Sequence, residues 1–452
     1  MSSGVTLREL VKLLSSQLIH DNSNLLDIPT RGIDTDTRSL QSQQIFLALR
    51  GTNFDGHDFV GQAAEMGAIA AIVDHPVACS LPQLVVPDTL AAYQQIAAWW
   101  RDQFEIPVIG VTGSFGKTTT KELIAAILGR FGSVLKTQFN YNNEIGVPKT
   151  LLELDKKHHF AVIEMSMRSF GEIAILSEIT KPTIGVITIA GTAHIGRLGS
   201  VEAIAQAKCE LLATMPQSST AVLNYDSTRL MCTAAKVWSG PTVTYGLSGG
   251  DLRGRLIDPQ TLQVAGQILP LPLPGQHNAT NFLGAIAVAQ VLGLDWSFLR
   301  GGLQVDLPAG RAKRLELAQE ITFLDETYNA GLESMLAALD LLATTPGQRR
   351  IAVLGTMKEL GEMTEQYHHQ VGAKARDLGL EGLFVLADDP EAGAIAVGAR
   401  PKSAECFTSH SDLITRLREF IQPGDTVLFK ASRSVKLDTI IDALLPNYTR
   451  LA

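Results

Sequence analysis

The chain has 452 residues, which at roughly 100–200 residues per domain implies two to four domains. Hydrophobic residues make up 45% and charged residues 19%, globular proportions that exclude a disordered or fibrous chain. With 38 Lys and Arg against 46 Asp and Glu the net charge is −8, the wrong sign for a nucleic-acid surface, which needs clustered positive charge.

The cysteines at 79, 209, 232 and 406 have neither Cys-x-x-Cys nor zinc-ligand spacing, so no disulfide framework or structural zinc is expected. The start, MSSGVTLREL, lacks the basic and apolar regions of a signal peptide. The longest stretch free of Asp, Glu, Lys and Arg, Pro259 to Leu294, is interrupted by prolines and carries Gln and Asn, so no membrane span is expected. Composition therefore points to a soluble, cytoplasmic, multidomain protein.

The first block, residues 1–87, mixes short strands (Gln44–Ala48, Ala68–Val73, Gln83–Val86) with Gly- and Asp-rich turns. Residues Thr89–Phe104 have a helical pattern and lead into the second block, residues 88–309. There, apolar runs at Ile106–Val111, Phe160–Met165, Thr183–Ile189 and Thr220–Leu223 alternate with helical patterns at Lys117–Arg130, Gly171–Ile179 and Ser200–Met215. That order implies a parallel sheet covered by helices. Thr242–Leu269 reads as antiparallel strands and Asn278–Leu292 as a helix. After a turn-rich joint at Pro308-Ala309-Gly310, the third block, residues 310–452, alternates again, with strands expected at Thr322–Asp325, Arg350–Leu354, Gly382–Leu386 and Thr426–Lys430. The expected fold class is α/β in three domains. A small mixed α/β domain comes first, then a parallel-sheet ATPase domain with a phosphate loop, then a Rossmann-like α/β domain.

The strongest motif is Gly110-Val111-Thr112-Gly113-Ser114-Phe115-Gly116-Lys117-Thr118-Thr119-Thr120. An apolar strand feeds a glycine turn that opens a helix, so free N–H groups and the positive dipole end face one point. Gly113, Ser114, Phe115, Gly116, Lys117, Thr118 and Thr119 are the expected phosphate cradle. Lys117 is placed to reach terminal phosphates and the Thr118 hydroxyl to hold Mg²⁺. The spacing is Gly-x2-Gly-Lys-Thr, because Val111 stands where a Gly-x4-Gly-Lys loop has its first glycine. The next strand ends in Glu164, a candidate metal carboxylate, and a third leads to Gly191-Thr192-Ala193-His194. Ligands of parallel α/β sheets sit at such carboxyl ends.

These motifs, with Ala207-Lys208-Cys209-Glu210, Pro274-Gly275-Gln276-His277-Asn278-Ala279-Thr280-Asn281 and Gly310-Arg311, resemble the ATP-dependent Mur ligases over essentially the whole chain. Asn140–Pro148, Asp325-Glu326-Thr327-Tyr328-Asn329-Ala330, Gly355–Glu362 and Lys430-Ala431-Ser432-Arg433 resemble the members that add D-alanyl-D-alanine to UDP-N-acetylmuramoyl-tripeptide. The resemblance implies a monomer acting on small-molecule substrates, with ATP and Mg²⁺. It implies that Asn278, Arg311 and Asp325 touch the nucleotide. Thr118, Glu164, His194 and Lys208 (as its carbamate) would hold metal, and Lys117, His194 and Lys208 would serve catalysis. Asp36, Thr37, Arg38, Asn142 and Asn143 would face the UDP-sugar peptide, and Tyr328, Asn329 and Arg433 the D-Ala-D-Ala. By its own pattern, Lys208 is an ordinary solvated helix lysine. Ile189, Ser166, Thr356 and Gly331-Leu332 depart from the family pattern. The competing functions are another ligase of the same superfamily and a P-loop regulatory NTPase.

Overall fold

The computed structural model describes residues 4–19, 25–387 and 389–448. Three sheets follow one another along the chain. The first has five strands in the order Gln17–Ile19, Gln83–Val85, Ala70–Val73, Ile45–Leu47 and Ile33–Asp34, parallel except at the Gln17–Ile19 edge. The helix Leu7–Leu14 precedes it, started by a capping box in which Thr6 and Glu9 satisfy each other's backbone N–H groups. The helix Thr89–Arg101 follows it and buries Tyr93, Ile96 and Trp100 in a core shared by the first two sheets.

The second sheet has nine strands. Val108–Thr112 lies between Phe160–Glu164 and Ile184–Ile187, with Val134–Lys136 at one edge, and Thr220–Asn224 and Thr242–Gly246 continue the parallel order on the other side. Thr242–Gly246 was expected to be antiparallel and instead runs parallel to Thr220–Asn224. Only Leu252–Asp258, Thr261–Val264 and Gln267–Pro270 form the antiparallel meander. A five-residue run records its period but not its direction, which depends on the strand it meets. The helix Gln276–Val291 is apolar on nearly all sides, with Phe282, Leu283 and Ile286 buried, because it lies between the sheet and the helix Lys117–Leu128.

The third sheet orders Lys313–Glu316, Thr322–Asp325, Asp425–Lys430, Arg349–Gly355, Gly382–Leu386 and Glu405–Phe407, parallel except at its first edge. Gly310 in the preceding joint has φ +76, and a Cβ there would come within 2.9 Å of the Tyr328 nitrogen. Its carbonyl accepts the Tyr328 N–H at 2.9 Å, so the joint is tied to the turn that carries Tyr328. Among the described residues no helix is long and apolar enough to cross a membrane.

Candidate active site

The phosphate loop is held from the neighbouring strand. Thr188, just past Ile184–Ile187, donates its hydroxyl to the Phe115 carbonyl at 2.6 Å. Ser114 donates its N–H to the Ile189 carbonyl, and its hydroxyl accepts the Gly191 N–H at 2.9 Å. Gly113, at φ +148, could not carry a side chain, since a Cβ would meet the Thr188 hydroxyl at 2.0 Å. Gly116, at φ +78, opens the helix Lys117–Leu128 with no side-chain cap. The first helical N–H groups are thus left for an anion.

Lys117 donates to the Gly113 carbonyl at 2.8 Å, and burial near Arg311 brings its ammonium down to about 8. Thr118 donates to Glu164 at 2.8 Å, and the other carboxylate oxygen accepts the Asn142 amide at 2.8 Å. Ser166 donates to the Asn142 oxygen at 2.8 Å, which fixes the amide's orientation. Lys121, fully buried one helical turn after Lys117, donates to the Thr137 carbonyl at 2.6 Å, pairs with Glu122 at 2.9 Å and stands 3.9 Å from Glu164. The sequence reading overlooked Lys121, although an i, i+4 lysine pair on a phosphate-loop helix is a signal it could have used.

Lys208 departs from the reading of its own pattern. On the helix Val201–Thr214 it is 1% exposed, and no hydrogen bond or ion pair reaches its amine among the described residues. Burial, reinforced by Lys117, holds its ammonium well below the ordinary lysine range. His194 lies within electrostatic reach of both lysines, and burial lowers its imidazolium too. Lys117, Lys208 and His194 therefore converge, although 91 residues separate the first two.

The third domain closes the site. Arg311 stacks its guanidinium 3.8 Å above the Tyr328 ring, with Nε buried and without a hydrogen-bond partner among the described residues. Lys430 donates to the Asn329 carbonyl at 2.9 Å. Burial lowers the Lys430 ammonium and raises the neighbouring Glu326 carboxyl. Glu333 accepts both the Thr192 N–H at 2.7 Å and its hydroxyl at 2.8 Å. Glu359 accepts from His194 and Arg197. Neither carboxylate was singled out from the sequence, because each acquires its role only when two domains meet.

Between these surfaces lies a two-lobed cleft. The lobe over the phosphate loop, about 140 Å³, is lined by Lys117, Asn278, Arg311, Glu326, Tyr328 and Lys430. The other, about 630 Å³, shares Phe115, His277, Asn281 and Glu333 with it and extends past Ile189 and Leu256. The larger lobe falls within the roughly 300–1,000 Å³ of small-ligand sites. Asn278 is buried beneath the smaller lobe, its amide donating to the Pro274 carbonyl at 2.8 Å.

Other expected residues lie elsewhere. Asp325 does not line the cleft; its carboxylate accepts the Thr327 N–H and hydroxyl, while Glu326 faces the cleft. Arg433 is exposed and paired with Asp438 at 2.8 Å, with its guanidinium 5.9 Å from the Tyr328 ring centre. Asn142 is engaged by Glu164, and Asn143 accepts the Gly146 N–H ahead of the helix Gly146–Leu151. Asp36, Thr37 and Arg38 lie in the first domain. There the Arg38 guanidinium holds the Asp36 carboxyl down to about 2, and Thr37 donates to Gln62.

Three family models match: residues 29–101 the Mur ligase family catalytic domain, 111–289 the Mur ligase middle domain, and 310–433 the Mur ligase glutamate ligase domain. The chain is 57% identical over 448 residues, 98% of each chain, to the UDP-N-acetylmuramoyl-tripeptide–D-alanyl-D-alanine ligase of Synechocystis. Its fold superposes on the crystal structure of MurF from Acinetobacter baumannii with TM-score 0.91 at 32% identity, covering 98% of this chain and 99% of that one. It superposes on MurF ligase from Thermotoga maritima in complex with ADP with TM-score 0.83 at 28% identity, over 92% and 97% of the two chains. The chain belongs to the Mur ligase family.

Proposed function

We propose that this chain joins D-alanyl-D-alanine to UDP-N-acetylmuramoyl-tripeptide at the expense of ATP, giving ADP, phosphate and an amide for peptidoglycan synthesis. The observation that carries the reading is the meeting of three parts at one cleft: the phosphate loop, the Thr118–Glu164 pair, and Arg311 with Tyr328 from the next domain. Relatives named for this activity match over nearly their full length. The protein acts as a monomer in the cytoplasm, and its domains fall at 1–87, 88–309 and 310–452.

A carboxylate is a poor acceptor for an amine. It first takes the γ-phosphoryl group, with ADP leaving, and the amine then displaces phosphate from the acyl phosphate. Both steps depend on alignment and on neutralising phosphate charge. The uncapped helix start and Lys117 bind the phosphates, and Arg311 approaches from the other side. Asn278, in the lobe over the phosphate loop, and Asn281, shared by both lobes, would border the base. Tyr328 and Asn329 face the incoming dipeptide, with Arg433 toward its carboxylate. Asp36, Thr37 and Arg38 hold the UDP-sugar.

The Thr118 hydroxyl and the Glu164 carboxylate are hard oxygen donors 2.8 Å apart, a set that fits Mg²⁺. They would hold the ion, with His194 and the Lys208 carbamate at a second one. When bound, Mg²⁺ supplies charge neutralisation at the transferring phosphoryl group. A desolvated neutral amine at Lys208 is the form that reacts with CO₂, so its burial supports the carbamate. The test is phosphate release by the purified protein. Release is expected only when ATP, the UDP-sugar tripeptide and D-Ala-D-Ala are all present. Hydrolysis of ATP alone at the same rate would favour the regulatory NTPase.

A further inference from the structure

His194 and Glu359 belong to different domains and meet in an unusual way. His194 has φ +67 and Glu359 φ +64, left-handed backbone that non-glycine residues adopt at a cost. The contact has four points. His194 Nδ1 lies 2.5 Å from Glu359 Oε2, Arg197 Nη2 lies 3.2 Å and Nε 3.3 Å from Oε1, and the Gly196 N–H donates to the Glu359 carbonyl at 3.1 Å. The two backbones touch closely. A Cβ on Gly196 would meet the Gly361 nitrogen at 2.5 Å and the Glu359 carbonyl at 2.9 Å.

A carboxylate ionised at neutral pH can only accept. Held by Arg197 on one oxygen, Glu359 receives the proton of His194 Nδ1 on the other. The Nε2 atom is then left as an unprotonated acceptor. We propose that Glu359 is a positioning residue: by docking on the 194–197 turn it fixes the tautomer of His194, so the amine-binding domain readies an imidazole of the ATP domain only when the two are closed together. This rests on the ligase reading for the importance of His194, and on geometry alone for the tautomer. In physical terms, a carboxylate behind an imidazole sets which nitrogen is free and which way the ring faces, and losing such a partner costs about 10–100-fold.

The experiment is nitrogen NMR of the full chain labelled with ¹⁵N-histidine, with the His194 signal assigned by its loss in His194→Gln. In the native protein Nε2 should give the shift of an unprotonated ring nitrogen and Nδ1 that of an N–H. Glu359→Ala should mix the tautomers and lower kcat about 10–100-fold at nearly constant KM for ATP. Glu359→Gln keeps a carbonyl acceptor and should restore the tautomer and most of kcat. Unchanged thermal unfolding would show that the variants are folded; if Glu359→Ala unfolds early, the native ring-nitrogen shifts carry the test, since a protonated Nε2 with an unprotonated Nδ1 in the native protein would overturn the inference. A His194 tautomer that is the same in native and Glu359→Ala protein, or alike losses in the Ala and Gln variants, would overturn the inference. The NMR needs no substrate, so its failure leaves the ligase reading standing, and failure of the ligase assay leaves the tautomer result standing.

Discussion

Gly113→Ala tests the physical account of the phosphate loop. Its new Cβ would stand 2.0 Å from the Thr188 hydroxyl and 3.2 Å from the Ile189 nitrogen, at a φ of +148. Rotating Thr188 aside would relieve the first contact but forfeit its 2.6 Å bond to the Phe115 carbonyl. The second contact is with backbone and cannot be relieved by rotation. Backbone strain of about 1–3 kcal/mol and one hydrogen bond of about 1 kcal/mol give roughly 2–4 kcal/mol in total. If the loop moves to escape, nucleotide affinity falls by about 30- to 700-fold. Thr188→Ala alone should cost about 1 kcal/mol. The double variant should bind better than the sum of the two losses, because removing the hydroxyl removes the 2.0 Å clash and leaves the φ strain and the 3.2 Å backbone contact. Equilibrium titration with a fluorescent ADP analogue reads all four corners of the cycle. Strict additivity would refute the reasoning, since it would mean that Gly113 and Thr188 do not meet.

Two further predictions address buried groups. In ¹³C-bicarbonate the native protein should show a carbamate carbon signal that is absent from Lys208→Arg, and that variant should lose about 100-fold or more in turnover; equal signals would remove Lys208 from the metal set. His277 is held neutral by burial, its imidazolium brought down to about 4 from an ordinary value of 6.5. Since the folded value is the lower one, the unfolded chain binds the extra proton between those two pH values. Stability should therefore fall as pH drops from 6.5 toward 4, by up to about 3 kcal/mol from this group. His277→Gln should flatten that part of the denaturation profile, and an unchanged slope would contradict the assignment.

The fold class was legible because hydrophobic period and chain order determine it. Thr322–Asp325 and Gly382–Leu386 appear with the boundaries expected from their apolar runs. The short edge strands Val134–Lys136 and Lys313–Glu316 were not foreseen, since a few residues with one buried face carry little period. The helix Leu7–Leu14 was missed although Thr6 and Glu9 spell its capping box. Within the site, the phosphate loop was legible because its chemistry lies in one contiguous run. Thr188, Glu333 and Glu359 were not, because each works through a residue distant in sequence, whereas Lys121 carried a signal in its spacing from Lys117. Lys208 shows the limit most clearly: its helical context suggests solvent, and only tertiary packing makes it a desolvated amine.

The central claim is that the tripeptide carboxylate is activated by phosphoryl transfer before the amine attacks. It is tested most directly with UDP-N-acetylmuramoyl-tripeptide whose terminal carboxylate carries ¹⁸O, incubated with ATP, D-Ala-D-Ala and the protein. The account predicts one ¹⁸O atom in each inorganic phosphate released, alongside a product heavier by the dipeptide less water. Unlabelled phosphate accompanying that product would contradict it.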